Sequence, residues 1–323
     1  MTKSKRELRE NIFPSAREDA ATSRRKAGRY SGNAYRLAFT DTEFLLREEL
    51  RPVRFQLELL KPDLIQQEHG IDSTVVIFGS ARHASAERAE AELAAARDAV
   101  AARPRSPLAK AALARAERRL HNSRYYEEAR KLSALITRNS EHIDGCRLVV
   151  VTGGGPGIME AANRGAKDVG GRSIGCNIRL PLEQSHNRYL DRWVTMEHFF
   201  VRKTLLIKYS YGFVIMPGGF GTMDELFEAL TLIQTGKIRN FPIVVMGTAF
   251  WPGMQQLLED MLAGSTISPE DRSLILWTDK VDEAIAHLQE NAVKQFGLRV
   301  AQVTPRGSAL LGEKGLAAPT RER

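Results

Sequence analysis

The segment PGGFGTMDE, residues 217 to 225, sets a carboxylate directly behind a glycine-rich turn. Such a turn lets the backbone approach an anion with no Cβ in the way. The helix start behind it offers unpaired N–H groups and a positive dipole end. Phosphate is the natural guest, cradled by the amides of Gly218, Gly219 and Gly221 and by the Thr222 hydroxyl. The same residues, Thr222 to Glu225, also spell T-x-x-E, a capping box in which Glu225 returns to the N-cap amide. A cap alone needs neither Pro217 nor three glycines ahead of it. The sequence therefore assigns Glu225 to chemistry, allowing it to cap in the free protein, and reads Asp224 and Glu228 as solvated or helix-dipole residues.

Two further stretches share this character. TGGGPGIMEAANRGA, residues 152 to 166, is a second glycine loop opening into a helix, with Gly154, Gly155 and Gly157 as phosphate or ribose contacts and Glu160 in the first helical turn. Glu160 either contacts a ribose or simply favours the helix N-terminus. Gly79-Ser80 closes the apolar run STVVIFGS and forms a third candidate contact. In MEHFFVRKTLLIKYS, the residues Val201, Leu205, Leu206 and Tyr209 mark the core face of a helix, leaving Arg202 and Lys203 off it. Two adjacent cations at a helix start oppose the dipole unless an anion or carboxylate compensates. Arg202 is assigned to function on that ground.

The ligand class follows by exclusion. No lysine follows the last glycine of either loop, as a P-loop requires, and G-x-G-x-x-G is not completed because Ile158 holds the final position. A mononucleotide or sugar phosphate fits better. His121, His142, His186 and His198 lack metal-ligand spacing, so neither a metal nor a cofactor is expected.

Strand-like runs alternating with helical patterns must position these residues: CRLVVVTGGG, RSIGCNIRL, WVTMEHF, YGFVIMPGG, FPIVVMG and SLILWTD follow the first run. The pattern predicts an α/β fold with a Rossmann-like, doubly wound parallel sheet, whose ligands bind beyond the strand C-terminal ends. Residues 1–36 read as a disordered basic arm, 37–71 as two or three helices punctuated by Pro52 and Pro62, and 72–292 as the α/β domain. About residues 84–140, rich in Ala, Arg, Glu and Leu, form a helical insertion, a hairpin followed by or merged with the crossover helix. Residues 293–323 read as a disordered tail.

At 323 residues and 43% hydrophobic, the chain can bury a full core. No apolar run reaches membrane-spanning length and the N-terminus is polar, so a cytoplasmic protein is expected. Cys146 and Cys176 have no metal or disulfide spacing and read as reduced, buried thiols. The formal net charge of +8 sits at the ends, with +6 in residues 1–40 and +3 in residues 296–323. A basic arm without interleaved aromatics reads as a solvated tail, and nucleic acid is not the expected partner.

Pro217, Gly218, Gly219, Gly221, Thr222 and Glu225, with the upstream Arg202-Lys203 and the triple glycine, resemble the LOG ("Lonely Guy") proteins, whose PGGxGTxxE hallmark they match in full. That family was long mislabelled as lysine decarboxylases, and nothing here marks a pyridoxal-bearing lysine. The resemblance covers about residues 72–292; the N-terminal helices and the insertion depart from short plant-type members. It implies a Rossmann-like homodimer that hydrolyses the N-glycosidic bond of a nucleoside 5′-monophosphate, with AMP, other purine nucleotides or cytokinin riboside monophosphates as substrates. It also implies Glu225 and Arg202 as the catalytic pair and Lys203 as a substrate contact. A non-catalytic nucleotide- or cofactor-binding protein of the same fold is the alternative.

Overall fold

The computed structural model describes residues 14–27, 36–71, 73–140, 148–180, 185–239 and 241–294. The chain divides into two compact units, with the boundary between Asp63 and Leu64. In the first unit, helix α1 spans Ala16–Ala27, inside the arm expected to lack order. Local chemistry explains it. The Ser15 backbone N–H donates to Glu18 at 2.7 Å and the Glu18 N–H donates back to Ser15 Oγ at 3.3 Å, a reciprocal cap. Arg24, Arg25 and Lys26 close the last turn, where cations complement the dipole. Helix α2, Thr42–Leu45, is a single turn capped by Asp41. Helix α3, Arg51–Glu68, runs through Pro62 without a break and ends in the second unit.

Among its described residues the second unit holds seven parallel strands: β1 (Thr74–Phe78), β2 (Val149–Thr152), β3 (Ser173–Ile178), β4 (Arg192–Met196), β5 (Ser210–Ile215), β6 (Ile243–Val245) and β7 (Ile275–Trp277). Their order is β4-β3-β2-β1-β5-β6-β7. The α/β reading is borne out. β1 is buried at all five residues, as a strand covered on both faces must be. Alternation divides its side chains: Val75 and Ile77 join the core formed with Tyr126, Leu132, Ile158 and Ile285. Phe78 points the other way, packing edge-on against Phe213 at 4.9 Å.

The insertion is a hairpin of α4 (Ala86–Ala102) and α5 (Pro107–Ser140), the latter also serving as the crossover into β2. The hairpin turns at residues 103–106. Helix α5 then crosses α6 (Ile158–Asp168) at backbone distance: a Cβ on Gly165 would meet the Arg130 carbonyl oxygen at 2.0 Å. Ser133 donates to the Ala162 carbonyl, and Arg130 pairs with Asp168 at the same crossing. The remaining helices are α7 (Phe199–Lys208), α8 (Phe220–Gln234), α9 (Pro252–Ala263) and α10 (Val281–Leu288). The chain steps outward from β1 to β4, then returns to the other side of β1 at β5. The β1/β5 junction is therefore the switch point, where a crevice opens beyond the strand ends.

Candidate functional site

A cleft of about 900 Å³ occupies that crevice. Of the predicted residues, Gly79, Ser80, Gly155, Arg202, Gly218, Gly219, Gly221, Thr222 and Glu225 line it. Gly154, Gly157, Glu160 and Lys203 are not among its lining residues. Gly157 serves the backbone instead, since at φ 72° it precedes α6, and a Cβ there would meet the Ser80 carbonyl oxygen at 2.3 Å. Glu160 accepts a hydrogen bond from the Tyr126 hydroxyl at 3.0 Å, tying α6 to α5. Lys203 reaches Asp224 at 2.9 Å and Glu228 at 2.8 Å, so these two acids are ion-pair partners rather than solvated residues.

The three loops are bonded to one another. The Ser80 N–H donates to the Pro217 carbonyl and the Ile158 N–H to the Ser80 carbonyl, each at 3.0 Å. Beneath the triple glycine lies a buried polar network. Asn187 Nδ2 donates to the carbonyls of Gly154 (3.1 Å) and Gly155 (3.0 Å) and to Asn163 Oδ1 (2.9 Å). Thr152 donates to Asn163 at 2.7 Å and accepts from the Gly154 N–H at 2.9 Å.

The capping-box expectation is corrected here. Helix α8 begins at Phe220, with Gly219 as its N-cap and no side-chain cap. Gly221 is itself wound into the first turn behind the Gly219 cap, which places Thr222 and Glu225 in the helix body, both buried. A Cβ at Gly219 or Gly221 would meet nothing within 4 Å, so this face of the turn is open to a ligand.

Glu225 is 2% exposed. Arg202 Nη1 lies 3.3 Å from its Oε1, while Arg202 Nε donates to the Cys176 carbonyl at 2.8 Å. The compensating carboxylate that the two adjacent cations required is therefore Glu225 for Arg202, and Asp224 with Glu228 for Lys203. Glu225 Oε2 has no hydrogen-bond partner among the described residues. Burial pushes the Glu225 carboxyl up to about 7 against the pull of Arg202 and Lys203, and Glu228 and Asp224 add to the rise. A buried carboxyl titrating near neutrality, with one oxygen held and the other buried without a partner, is equipped for proton transfer or for facing a developing cation. Cys176 is buried and free, its thiol pushed up by burial to about 11. Cys146 lies outside the described residues.

Sequence reasoning missed several lining residues: Arg82, His83, Met159, Asn177, Phe199 and Phe250. Arg82 and His83 directly follow Gly79-Ser80 and Asn177 stands at the end of β3, so the strand-end rule that found the glycines reaches them too. Asn187 carried no local signal.

A family model described as "Possible lysine decarboxylase" matches residues 159–288. The chain is 27% identical over 162 residues to the cytokinin riboside 5′-monophosphate phosphoribohydrolase LOG3 of Arabidopsis thaliana, covering 49% of this chain and 71% of that protein. It is 28% identical over 146 residues to the cytokinin riboside 5′-monophosphate phosphoribohydrolase of Mycobacterium tuberculosis, covering 44% and 78%. Among solved structures, the Moco carrier protein from Chlamydomonas reinhardtii aligns with a TM-score of 0.39 at 19% identity, over 69% of this chain and 99% of that one. That likeness is too low to bear on function. Motif, family model and curated relatives agree in direction: across its α/β core the chain is similar to the LOG phosphoribohydrolases.

Proposed function

We propose that this chain hydrolyses the N-glycosidic bond of a purine nucleoside 5′-monophosphate, AMP or a cytokinin riboside 5′-monophosphate, to free base and ribose 5-phosphate. The observation that carries this reading is the buried Arg202–Glu225 pair set in the same cleft as two phosphate-compatible glycine loops. Relatives named as phosphoribohydrolases support it. Breaking the C1′–N bond sends its electron pair to the base and leaves positive charge on the ribose. A carboxylate beside C1′ stabilises that charge, and a water positioned by it forms the new C1′–O bond as its proton passes to Glu225. Arg202 fixes Oε1 and keeps the carboxyl ionisable, leaving Oε2 for the water or the ribose. A decarboxylase built on a pyridoxal Schiff base needs a lysine in the cleft. Among the described lining residues there is none.

Incubation with AMP, following adenine release, tests the reading in wild type and Glu225→Gln. Release by the wild type and its loss in a folded, AMP-binding variant supports it. Binding of AMP without release by either protein favours a nucleotide carrier instead. The homodimer implied by the resemblance belongs to the same proposal, and light scattering at the mass of a single chain would refute it.

A further inference from the structure

The cleft follows the carboxyl edge of the sheet, so strand order arranges the groups along it. Arg202 holds Glu225 against the β2 and β3 ends, since it bonds the Cys176 carbonyl and a Cβ on Gly153 would meet its Nη2 at 2.7 Å. Apolar Ile178, Leu180 and Phe199 line the cleft on this side. The start of α8, with its open Gly219 and Gly221, follows β5. Arg82 and His83 belong to the opposite side. His83 packs against Tyr125 with ring centres 5.5 Å apart. A Cβ on Gly247, just beyond β6, would in turn meet both Tyr125 and Pro217 within 3.0 Å.

Arg82 is exposed and lines this end of the cleft. Its backbone is pinned, its N–H donating to Ser80 Oγ at 3.1 Å while the Ser80 N–H holds the Pro217 carbonyl. Arg202 and Lys203 are already neutralised by carboxylates, whereas Arg82 makes no ion pair with a described residue. The apolar wall and the Arg202-held carboxylate thus lie toward β3, and the unpaired guanidinium and the helix start lie beyond β1 and β5, which sets base and ribose toward one end of the cleft and phosphate toward the other.

Resting on the nucleotide reading above, we infer that Arg82 is a specificity residue that recognises the 5′-phosphate, clamping it against the start of α8. A guanidinium meets a phosphate with two parallel hydrogen bonds, which lysine cannot reproduce. The experiment uses the full chain, with Arg82→Gln and Arg82→Lys, in two assays. In kinetics with AMP, Arg82→Gln is expected to raise KM by about 10- to 100-fold, the worth of a charge-assisted hydrogen bond, with kcat changed less than about twofold. Arg82→Lys should recover part of the loss. Calorimetric titration with ribose 5-phosphate should show the same fall in affinity, while ribose itself binds both proteins alike. An unchanged KM, or a fall in kcat with KM unaltered, overturns the inference. Should the wild type cleave no nucleotide, the hydrolase reading fails by itself, and the ribose 5-phosphate titration decides Arg82. Weaker binding by Arg82→Gln sustains the phosphate role; equal binding, or none by the wild type, ends it.

Discussion

Arg202 and Glu225 stand on helices that follow different strands, yet their guanidinium and carboxylate meet at 3.3 Å with side chains only 11% and 3% exposed. Removing one partner of such a pair strands the other charge in a poor dielectric. Arg202→Ala should therefore reduce base release from AMP at pH 7 by about 100-fold or more, the range set by losing a group that orients a catalytic acid or base. Arg202→Lys should recover little, because an ammonium cannot bond both the Cys176 carbonyl and Glu225 in the planar geometry of the guanidinium. Recovery of most of the activity by lysine would contradict this account.

The raised Glu225 value predicts a pH profile. Activity that needs the carboxylate should climb with pH and level off above about 7, the value to which burial lifts this group. The limb should persist in kcat, which reports the enzyme–substrate complex. A profile flat from pH 5 to 8 would exclude Glu225 as the titrating base.

Stability should move the opposite way. A carboxyl whose folded value lies above its ordinary 4.5 favours the protonated fold, so its contribution is complete below pH 4.5 and is lost as pH rises through 7. Glu225→Gln removes that loss. At pH 8 the variant should be the more stable by about 1–3 kcal/mol, with the gap closing below pH 4.5, as urea titrations at both pH values would read. A variant less stable than wild type at pH 8 would mean that the lost Arg202 contact outweighs desolvation.

Lys203 offers a contrast with its neighbour. Held by Asp224 and Glu228, it acts on Glu225 through charge, lowering its proton affinity. Lys203→Ala should shift the kcat limb to higher pH and reduce kcat at pH 7 less than Arg202→Ala does. A KM increase with an unmoved limb would instead give Lys203 direct contact with substrate.

Asn187 is predicted to matter for the cleft without lining it. Asn187→Ala withdraws donors from the Gly154 and Gly155 carbonyls and from Asn163 in a buried setting. Stability should fall by about 2–4 kcal/mol, the cost of leaving two or more buried acceptors unpaired. Hydrogen exchange localised at residues 152–157 would show whether the loop loosens with it.

Much of this was legible because glycines and β-branched runs act locally. Phe78-Gly79, Thr152-Gly153 and Met216-Pro217 mark strand ends without knowledge of the fold, and the parallel sheet then gathers them on one edge. Ion pairing across the chain was not legible. Arg202 finds Glu225, and Lys203 finds Asp224 and Glu228, only because α7 and α8 lie side by side, so a helix-dipole reading of each segment alone misjudged the acids. The T-x-x-E pattern misled for a related reason. Glycine is a poor helix former in isolation, yet here α8 starts at Phe220 and takes in Gly221, carrying Glu225 from a capping position into the protein. Asn187 was invisible because the three acceptors of its Nδ2 lie over 20 residues away.

The crossing at Gly165 and Arg130 gives the helical hairpin a mechanical meaning. With no side chain between the two backbones, α5 and α6 meet in direct contact, and the Ser133–Ala162 and Arg130–Asp168 bonds hold them there. Because α6 starts at the glycine loop, the hairpin is continuous with the cleft wall through this crossing. Its tip, near residues 103–106, is thereby joined through α5 and α6 to Gly157 and Ser80.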